Sequence, residues 1–346
     1  MKLLITGGCG FLGSNLAKTA LDKGYELAVL DNLSRVGSRQ NLEWLKTCGS
    51  FKFVEGDTRS QSMVEALVSE FRPEAVFHLA GQVAMTTSLA DPRSDFDTNV
   101  VGGMNILDAV RRKAPNAVVI YSSTNKVYGD LGHIDFYEED TRYIARGYER
   151  GFDESLPLNF QSPYGCSKGA MDQYMLDFHR MFGVNTIVFR HSSIYGGRQF
   201  STFDQGWIGW FVSQALLVAK KNEVPFPISI AGTGKQVRDV LFASDIVNCY
   251  FQALKNSTRA VGQAFNIGGG MENSLSILEL FKILENALNV QLSVQTSPWR
   301  LSDQKVFVAD NSKAGRLFGW KPQITAKEGV SKMIEWMRIV DSNAQS

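Results

Sequence analysis

The sequence predicts an α/β chain: a doubly wound parallel sheet with helices on both faces, followed by a smaller α/β lobe. Two observations carry this prediction. Short apolar runs of strand length recur at Lys2–Thr6, Glu26–Leu30, Phe51–Val54, Ala75–Gly81, Ala117–Tyr121 and Thr186–Arg190, with helical stretches such as Gln61–Phe71 between them. A parallel sheet with crossover helices reads this way. The first run turns through Gly7, Gly10 and Gly13 into a helix expected over Ser14–Lys23, and the second run ends in Asp31. A length of 346 residues suits two domains. The boundary is expected near residue 190, with 1–190 carrying the sheet, 191–340 forming the second lobe, and some chain crossing between them.

The glycine turn has a chemical reading. Glycines permit a tight turn and let backbone N–H groups approach a pyrophosphate, which the positive end of the following helix then holds. Asp31 stands where a carboxylate binds the 2′-hydroxyl of an adenosine. Residues 1–190 therefore read as a Rossmann-type dinucleotide domain. A carboxylate repels a 2′-phosphate, so NAD is expected rather than NADP, although Ser34, Arg35 and Arg39 follow closely. His78, on an apolar strand, reads as a packed core histidine.

The chemistry centres on Tyr164-Gly165-Cys166-Ser167-Lys168. Helical residues four apart share a face, which puts the Tyr164 phenol and the Lys168 ammonium together. A free phenol ionises near pH ~10, and a neighbouring cation favours the phenolate, making a base for an alcohol proton near neutral pH. The YxxxK pattern alone occurs by chance on many helices. Here the strand Ala117–Tyr121 also leads into Ser122-Ser123-Thr124. Ligands of open α/β sheets bind beyond the carboxyl ends of the strands, so the Thr124 hydroxyl faces the cleft.

Taken in order, the GxxGxxG loop, Asp31, Thr124 and the Tyr164/Lys168 pair resemble the extended short-chain dehydrogenase/reductase superfamily across nearly the whole chain. Within it, Ser123–Asp130, Ser162–Gly169, Phe189–Ser193, Tyr195–Phe200 and Asp204–Trp207 are similar to NAD-dependent nucleotide-sugar epimerases acting at C2 of a CDP-hexose. The resemblance implies an isomerase that oxidises C2 transiently, with a tightly bound NAD regenerated each cycle and no metal. It implies catalytic roles for Thr124, Tyr164 and Lys168. The cofactor would be lined by Gly7, Gly10, Phe11, Leu12, Asp31, Asn32, Ser34, Arg35, Asp57, Thr58, Leu79, Ala80, Gly81, Asn99 and Ser122, with Tyr164 and Lys168. The substrate would meet Thr124, Asn125, Lys126 and Gln205, with Arg238 and Arg300 on its pyrophosphate and Asp303 on its ribose. Ser193 stands where relatives commonly carry Asn.

Sugar-nucleotide 4,6-dehydratases are similar too, but they place Asp-Glu directly after the threonine, because removing water needs an acid and a base beyond the tyrosine. Asn125 and Lys126 stand there in this chain and speak for hydride exchange without elimination. The alternatives left open are a 4-epimerase using the same residues, a dehydratase, and a non-catalytic NAD- or nucleotide-sugar-binding protein. The natural sugar, paratose or a glucose-type hexose, is open as well. The resemblance further implies a homo-oligomer, dimer or tetramer, paired through the YxxxK helix.

Composition sets outer limits. With 44% hydrophobic and 21% charged residues and a net charge of +1, neither nucleic acid nor a membrane is expected as a partner. Cys9, Cys48, Cys166 and Cys249 lack zinc-ligand spacing and read as free thiols of a cytoplasmic protein. Met1–Ile5 reads as a strand rather than a signal peptide, and no run of about 18 apolar residues is present. Leu131–Gln161 is expected to be a long loop, exceeding the usual limit of about 12–15 residues. Its aromatics Phe136, Tyr137, Tyr143, Tyr148 and Phe152 are expected to pack on the protein itself. A helix over Ser276–Asn286 completes the second lobe, and the tail after Ile339 is expected to fray.

Overall fold

A computed structural model describes residues 1–221, 227–300 and 302–343. Seven parallel strands form the main sheet, in the spatial order Lys52–Glu55, Glu26–Asp31, Lys2–Thr6, Ala75–His78, Val118–Thr124, Asn185–His191 and Gln263–Ile267. Side chains alternate between the two faces of a strand. Leu3, Ile5, Val29, Phe77 and Ile120 therefore pack on one side, under the helices Phe11–Asp22 and Ala243–Lys255. Leu4, Leu30, Val76 and Val119 pack on the other, under Gln61–Phe71, Gly102–Lys113 and Ser162–Phe182. Burial on both faces explains why these strands read as continuous apolar runs. The strand order reverses beside Lys2–Thr6, and the crevice beyond the carboxyl ends there is where such sheets take ligands.

The last strand of this sheet, Gln263–Ile267, comes from far beyond residue 190 and pairs with Ile187–His191. The chain thus leaves the sheet, builds a second layer and returns. That layer holds Val237–Phe242 between Ser193–Tyr195, Ser274–Ser276 and Val306–Phe307, together with the pair Ile228–Ala231 and Val294–Ser297. Its core, with Phe211, Val212, Ile230, Leu280, Leu284 and Met333, is covered by the helices Trp207–Lys221, Ile277–Leu288 and Ala326–Asn343.

Local chemistry moves several expected boundaries. The first helix begins at Phe11 rather than Ser14, because the turn is completed by Gly10 as N-cap. Ser276 is not helical but caps the helix Ile277–Leu288, in a reciprocal box with Glu279. Ser122-Ser123-Thr124 belongs to its strand, which runs Val118–Thr124. The helix expected to fray after Ile339 continues to Asn343, and residues 344–346 lie outside the described residues.

Leu131–Gln161 is not a structureless loop. It holds an antiparallel pair, Phe136–Glu138 with Tyr143–Ala145. Its buried Tyr143, Phe152 and Leu156 pack with Tyr128, Val237 and Phe307 in a core of their own. Phe136, Tyr143, Tyr148 and Phe152 therefore do pack on the protein itself, whereas Tyr137 is exposed. No helix among the described residues is long and apolar enough to cross a membrane, and all four cysteines are free.

A buried ion pair ties the helix Ser162–Phe182 to the sheet. Arg190 donates from Nε and Nη2 to both carboxylate oxygens of Asp172, at 2.9 and 2.8 Å, and its Nη1 donates to the Tyr128 hydroxyl at 2.9 Å. Ser123 Oγ donates to the same carboxylate at 2.7 Å. Side-chain exposure of the pair is 5% and 0%. Removing one partner of such a pair strands the other charge. Asp172→Ala is therefore expected to lower unfolding stability by about 3–5 kcal/mol, as read from the denaturant midpoint; a loss below about 1 kcal/mol, typical of an exposed pair, would contradict this account.

Candidate active site

The glycine loop is built by close approach. Gly7 has φ +69°, and a Cβ there would meet Ala80 N at 2.7 Å; a Cβ on Gly13 would meet Gly7 O at 2.1 Å. No side chain caps the first turn of Phe11–Asp22 and no acid stands in it, so Gly10, Phe11 and Leu12 present the positive end of the helix. Asp31 lies against the loop: its carboxylate accepts the N–H of Cys9 at 2.9 Å and of Leu33 at 2.8 Å. Burial pushes this carboxyl up from its ordinary value, against those N–H groups.

The next predicted residues form a polar rim rather than part of this cradle. Asn32 donates to Asp57 at 2.9 Å and accepts from Ser34, and Arg35 is exposed. The side-chain hydrogen bond from Arg59 is foremost in holding the Asp57 carboxyl down to about 2. Thr58 is buried against Gly102.

Beyond the next strand, Leu79-Ala80-Gly81 faces the glycine loop from the other side. Gly81 is forced: a Cβ there would stand 2.8 Å from Asn99 Oδ1 and 3.7 Å from Lys168 Nζ. Asn99 directs its amide inward, accepting the N–H of Gln82 and donating to Ser167 Oγ at 2.9 Å. Ser167 in turn donates to Asp95. Asn99 thus joins the loop after the strand Ala75–His78 to the Tyr164 helix.

Tyr164, Lys168, Thr124 and Ser122 meet at the carboxyl ends of the central strands. Thr124, Lys168 and Tyr164 are 6%, 3% and 9% exposed. Lys168 Nζ donates to Ser122 O and lies 4.4 Å from the Tyr121 ring centroid. Burial first, and the charge of Lys168 second, hold both His78 and His191 down to about 3. Both rings are neutral near pH 7; His78 takes part through a 2.7 Å contact with Thr6 Oγ1, a packed core histidine as its strand suggested.

The electrostatics differ in one respect from the sequence expectation. Burial pushes the Tyr164 phenol up to about 12, and the opposing influence is a hydrogen bond with Thr124 rather than the Lys168 charge. Burial also brings Lys168 down to about 7, against attraction to Asp95 and Asp172. In this dry site both partners lose hydration, and the lysine is turned toward Ser122 O. Neither Asp95 nor Asp172 was singled out from the sequence, although Asp172 follows Lys168 by one helical turn.

A second cluster lies in the other lobe. Asp303 Oδ1 accepts Arg238 Nη2 at 2.7 Å and Lys126 Nζ at 3.3 Å. Burial pushes the Asp303 carboxyl up, but Arg238 and Lys126 outweigh it and the result lies below the usual value. Arg300 sits 5.0 Å from the Phe203 ring centroid. With Arg238, Asp303, Trp207 and Trp210 it lines a cavity of about 150 Å³. Three cations around one carboxylate leave the cluster net positive. The aromatic wall, Phe203, Trp207 and Trp210, was missed, because aromatics at helical spacing read equally well as core.

Asn125 donates to Gln304 Oε1 at 2.9 Å, a second residue missed from sequence, where one glutamine carries no signal. Ser193 Oγ accepts the Trp207 indole N–H at 3.0 Å. Gln205 pairs through its backbone with Thr202 in the turn before Trp207, and no side-chain hydrogen bond joins it to the cluster among the described residues. Leu301, between Arg300 and Ser302, lies outside the described residues.

A Rossmann-type sheet carrying Thr124, Tyr164 and Lys168 at its carboxyl ends, faced by a cationic cleft in a second lobe, defines the short-chain dehydrogenase/reductase class in its extended form. The sequence profile of the family described as GDP-mannose 4,6 dehydratase matches residues 4–333, and the chain belongs to that family. It is 56% identical, over 97% of its length and 99% of the relative's, to CDP-paratose 2-epimerase of Salmonella typhi. Among solved structures it is similar to UDP-glucose 4-epimerase of Thermotoga maritima with UDP-glucose, at 28% identity and a TM-score of 0.82, covering 98% of this chain and 99% of that one. It is also similar to the Thermus thermophilus UDP-glucose 4-epimerase complex with NAD, at 27% identity and a TM-score of 0.80, again covering 98% and 99%.

The lysine gives a test with a definite sign. An unfolded lysine keeps its proton to about pH 10.4, whereas Lys168 in the fold loses it near 7. The unfolded chain therefore binds more protons between those values, and stability rises with pH across that window. Below pH 7 the full cost of the buried ammonium is present. Lys168→Met is expected to melt above the parent at pH 6, with the gap narrowing by pH 9.5 in thermal scans. A gap that is constant or widens with pH would show that Lys168 is not held near 7.

Proposed function

We propose that the protein is an NAD-dependent epimerase that inverts C2 of a CDP-linked hexose, converting CDP-paratose to CDP-tyvelose, with a CDP-glucose-type sugar as an alternative substrate. The observation that carries this reading is the 56% identity over almost the full length of both chains to a CDP-paratose 2-epimerase, joined to an intact Thr124–Tyr164–Lys168 site. The solved relatives that act at C4 are about half as similar and supply the second reading.

The glycine loop fits a dinucleotide, since it leaves room only for backbone N–H groups at an uncapped helix end, and the Asp31 carboxylate fits a ribose diol. Gly7, Gly10, Phe11, Leu12 and Asp31 would hold the adenosine half of NAD, and Ala80, Gly81, Ser122, Tyr164 and Lys168 the other. When bound, NAD supplies reversible two-electron chemistry, taking hydride from the carbinol carbon and returning it to the opposite face of the ketone.

The remaining work falls to the protein. Tyr164 takes the C2 hydroxyl proton on oxidation and gives it back on reduction, with Thr124 hydrogen-bonded to the reacting oxygen. Lys168 loses its proton near pH 7, well before the buried Tyr164 phenol, held up to about 12. Arg238, Arg300 and Lys126 hold the diphosphate, the arginines through forked N–H groups. The ketone must turn over between the two half-reactions, and a grip on the diphosphate leaves the sugar ring free to do so.

Asp303 is a carboxylate in contact with Lys126, from the segment after Thr124, and Lys126 and Arg238 keep it ionised. It is a poor acid for expelling a hydroxyl, which disfavours a dehydratase. We further propose that the protein self-associates through the Tyr164 helix, on which Tyr174 and Met181, seven residues apart, are 44% and 64% exposed.

Incubation with CDP-paratose in D2O, without added cofactor, is expected to give the C2 epimer with protium retained at C2 by proton NMR. Deuterium at C2 would replace hydride return by proton abstraction, and inversion at C4 alone would favour the second reading. Tyr164→Phe and Thr124→Val should lower kcat by at least about 10²-fold, the range for lost acid–base help. Light scattering should show a dimer or larger for the parent and a monomer for Tyr174→Glu/Met181→Glu; an unchanged mass would move the contact elsewhere.

A further inference from the structure

Asn125 and Lys126, at the positions dehydratases use for acid–base chemistry, are engaged by the loop that carries the diphosphate clamp. Gln304, with 0% exposure, is the hub. Its Oε1 accepts Asn125 Nδ2 at 2.9 Å, and its Nε2 donates to Gly129 O at 2.7 Å and Asn125 O at 3.4 Å. Its backbone N–H donates to Asp303 Oδ1 at 3.1 Å, the same oxygen that takes Lys126 and Arg238. On the other side of Asn125, Oδ1 accepts the Thr124 hydroxyl at 3.4 Å. An unbroken set of hydrogen bonds therefore runs from the arginine of the clamp to the hydroxyl beside Tyr164.

We propose that Gln304 is a positioning residue that couples occupancy of the diphosphate clamp to the orientation of the Thr124 hydroxyl, acting through the Asn125 amide. The directions of the bonds give the reason. Gln304 can present its carbonyl to Asn125 only while its NH2 faces the carbonyls of Asn125 and Gly129; the reverse orientation would set oxygen against oxygen. That fixes the Asn125 amide with its NH2 toward Gln304 and its oxygen toward Thr124. The Thr124 hydroxyl then donates to Asn125, accepts the Lys126 N–H at 3.2 Å, and keeps one lone pair for the cleft.

A diphosphate arriving at Arg238 and Lys126 competes with Asp303 for the same N–H groups, and any shift of Asp303 pulls on Gln304 through the backbone between them. The clamp and the reacting centre are thus linked through shared hydrogen-bonding groups rather than by distance alone. A carboxylate at position 125 would lose the donor that Gln304 Oε1 requires, and one at 126 would face Asp303. The amide and the ammonium are what this arrangement needs.

The proposal rests on the nucleotide-sugar reading of the site, and parent turnover of CDP-paratose tests that reading by itself. The coupling is tested with Gln304→Met, Asn125→Ala and the double variant, by steady-state kinetics and by calorimetric titration with CDP as the probe. If the two residues act as one unit, each single variant lowers kcat about tenfold or more and weakens CDP about tenfold, and the double variant is no worse than the worse single one. Asn125→Ala leaves the buried backbone of the clamp loop intact and serves where Gln304→Met folds poorly. A rise in KM with kcat unchanged would assign Gln304 to the clamp alone and overturn the coupling. Multiplicative losses in the double variant, or CDP affinity unchanged in Asn125→Ala, would overturn it as well. The CDP titration separates these outcomes whichever carbon of the sugar is inverted.

Discussion

The buried Asp172–Arg190 pair sets the angular position of the helix on which the candidate chemistry depends. Tyr164, Lys168 and Asp172 follow at intervals of one turn and so share a face. Asp172 cannot leave Arg190 without stranding two charges in a dry interior, so the helix cannot rotate about its axis. Arg190 is itself fixed between Ser123 and Asn266, its register partners on the neighbouring strands, and it reaches the Tyr128 hydroxyl, which donates to Asn266 Oδ1 at 2.7 Å. The rotation of one helix is thereby referred to three strands of the sheet. A hydrophobic contact could hold the helix as tightly, but apolar packing slides more readily than a forked ion pair.

The same carboxylate contributes to the state of the lysine. Lys168 lies between Asp172 and Asp95, and both attract its ammonium while burial opposes it. Asp95 is held by Ser167, next to Lys168 in sequence, and by Gln82. The two acids carry the lysine to a value near 7 rather than leaving it neutral throughout. A lysine balanced there can be gained or lost as a cation by small changes nearby, which suits a proton-transfer site. The phenol, pushed to about 12, needs such a partner, or a cation in the cleft, before it can act as a base.

Much of this was legible in the sequence because a local rule was at work. The glycine loop, Asp31 and the YxxxK pair are each set by backbone geometry over a few residues, so their spacing is readable locally. The YxxxK pair gains meaning from Thr124 and the glycine loop beside it. The strands were legible because burial on both faces leaves them uniformly apolar. Contacts that join distant parts of the chain were not. Gln304 meets Asn125 across 179 residues, and the seventh strand enters the sheet from beyond residue 260. Leu131–Gln161 was hidden for a related reason: its short strands pack against Val237 and Phe307, so its apolar pattern follows a surface from elsewhere in the chain. Ser276 was the exception, since its capping box with Glu279 is local and only its boundary was misread.

Two neighbouring side chains show how one scaffold can separate inversion from elimination. Both reactions begin with oxidation of a carbinol, and the Tyr164 helix and glycine loop serve either one. Elimination then requires an acid to protonate the departing hydroxyl and a base to take a carbon-bound proton. An amide supplies neither, and the ammonium at 126 is directed at Ser302 O and Asp303. With those two positions tied to the clamp loop, no group next to Thr124 in the chain is free to assist loss of water. Under the proposed epimerase reading, a keto sugar held here would turn and be reduced. On that view the Asn125–Gln304 and Lys126–Asp303 contacts hold the nucleotide half of the cleft in register with the reacting centre, and by engaging both side chains they remove the competing reaction.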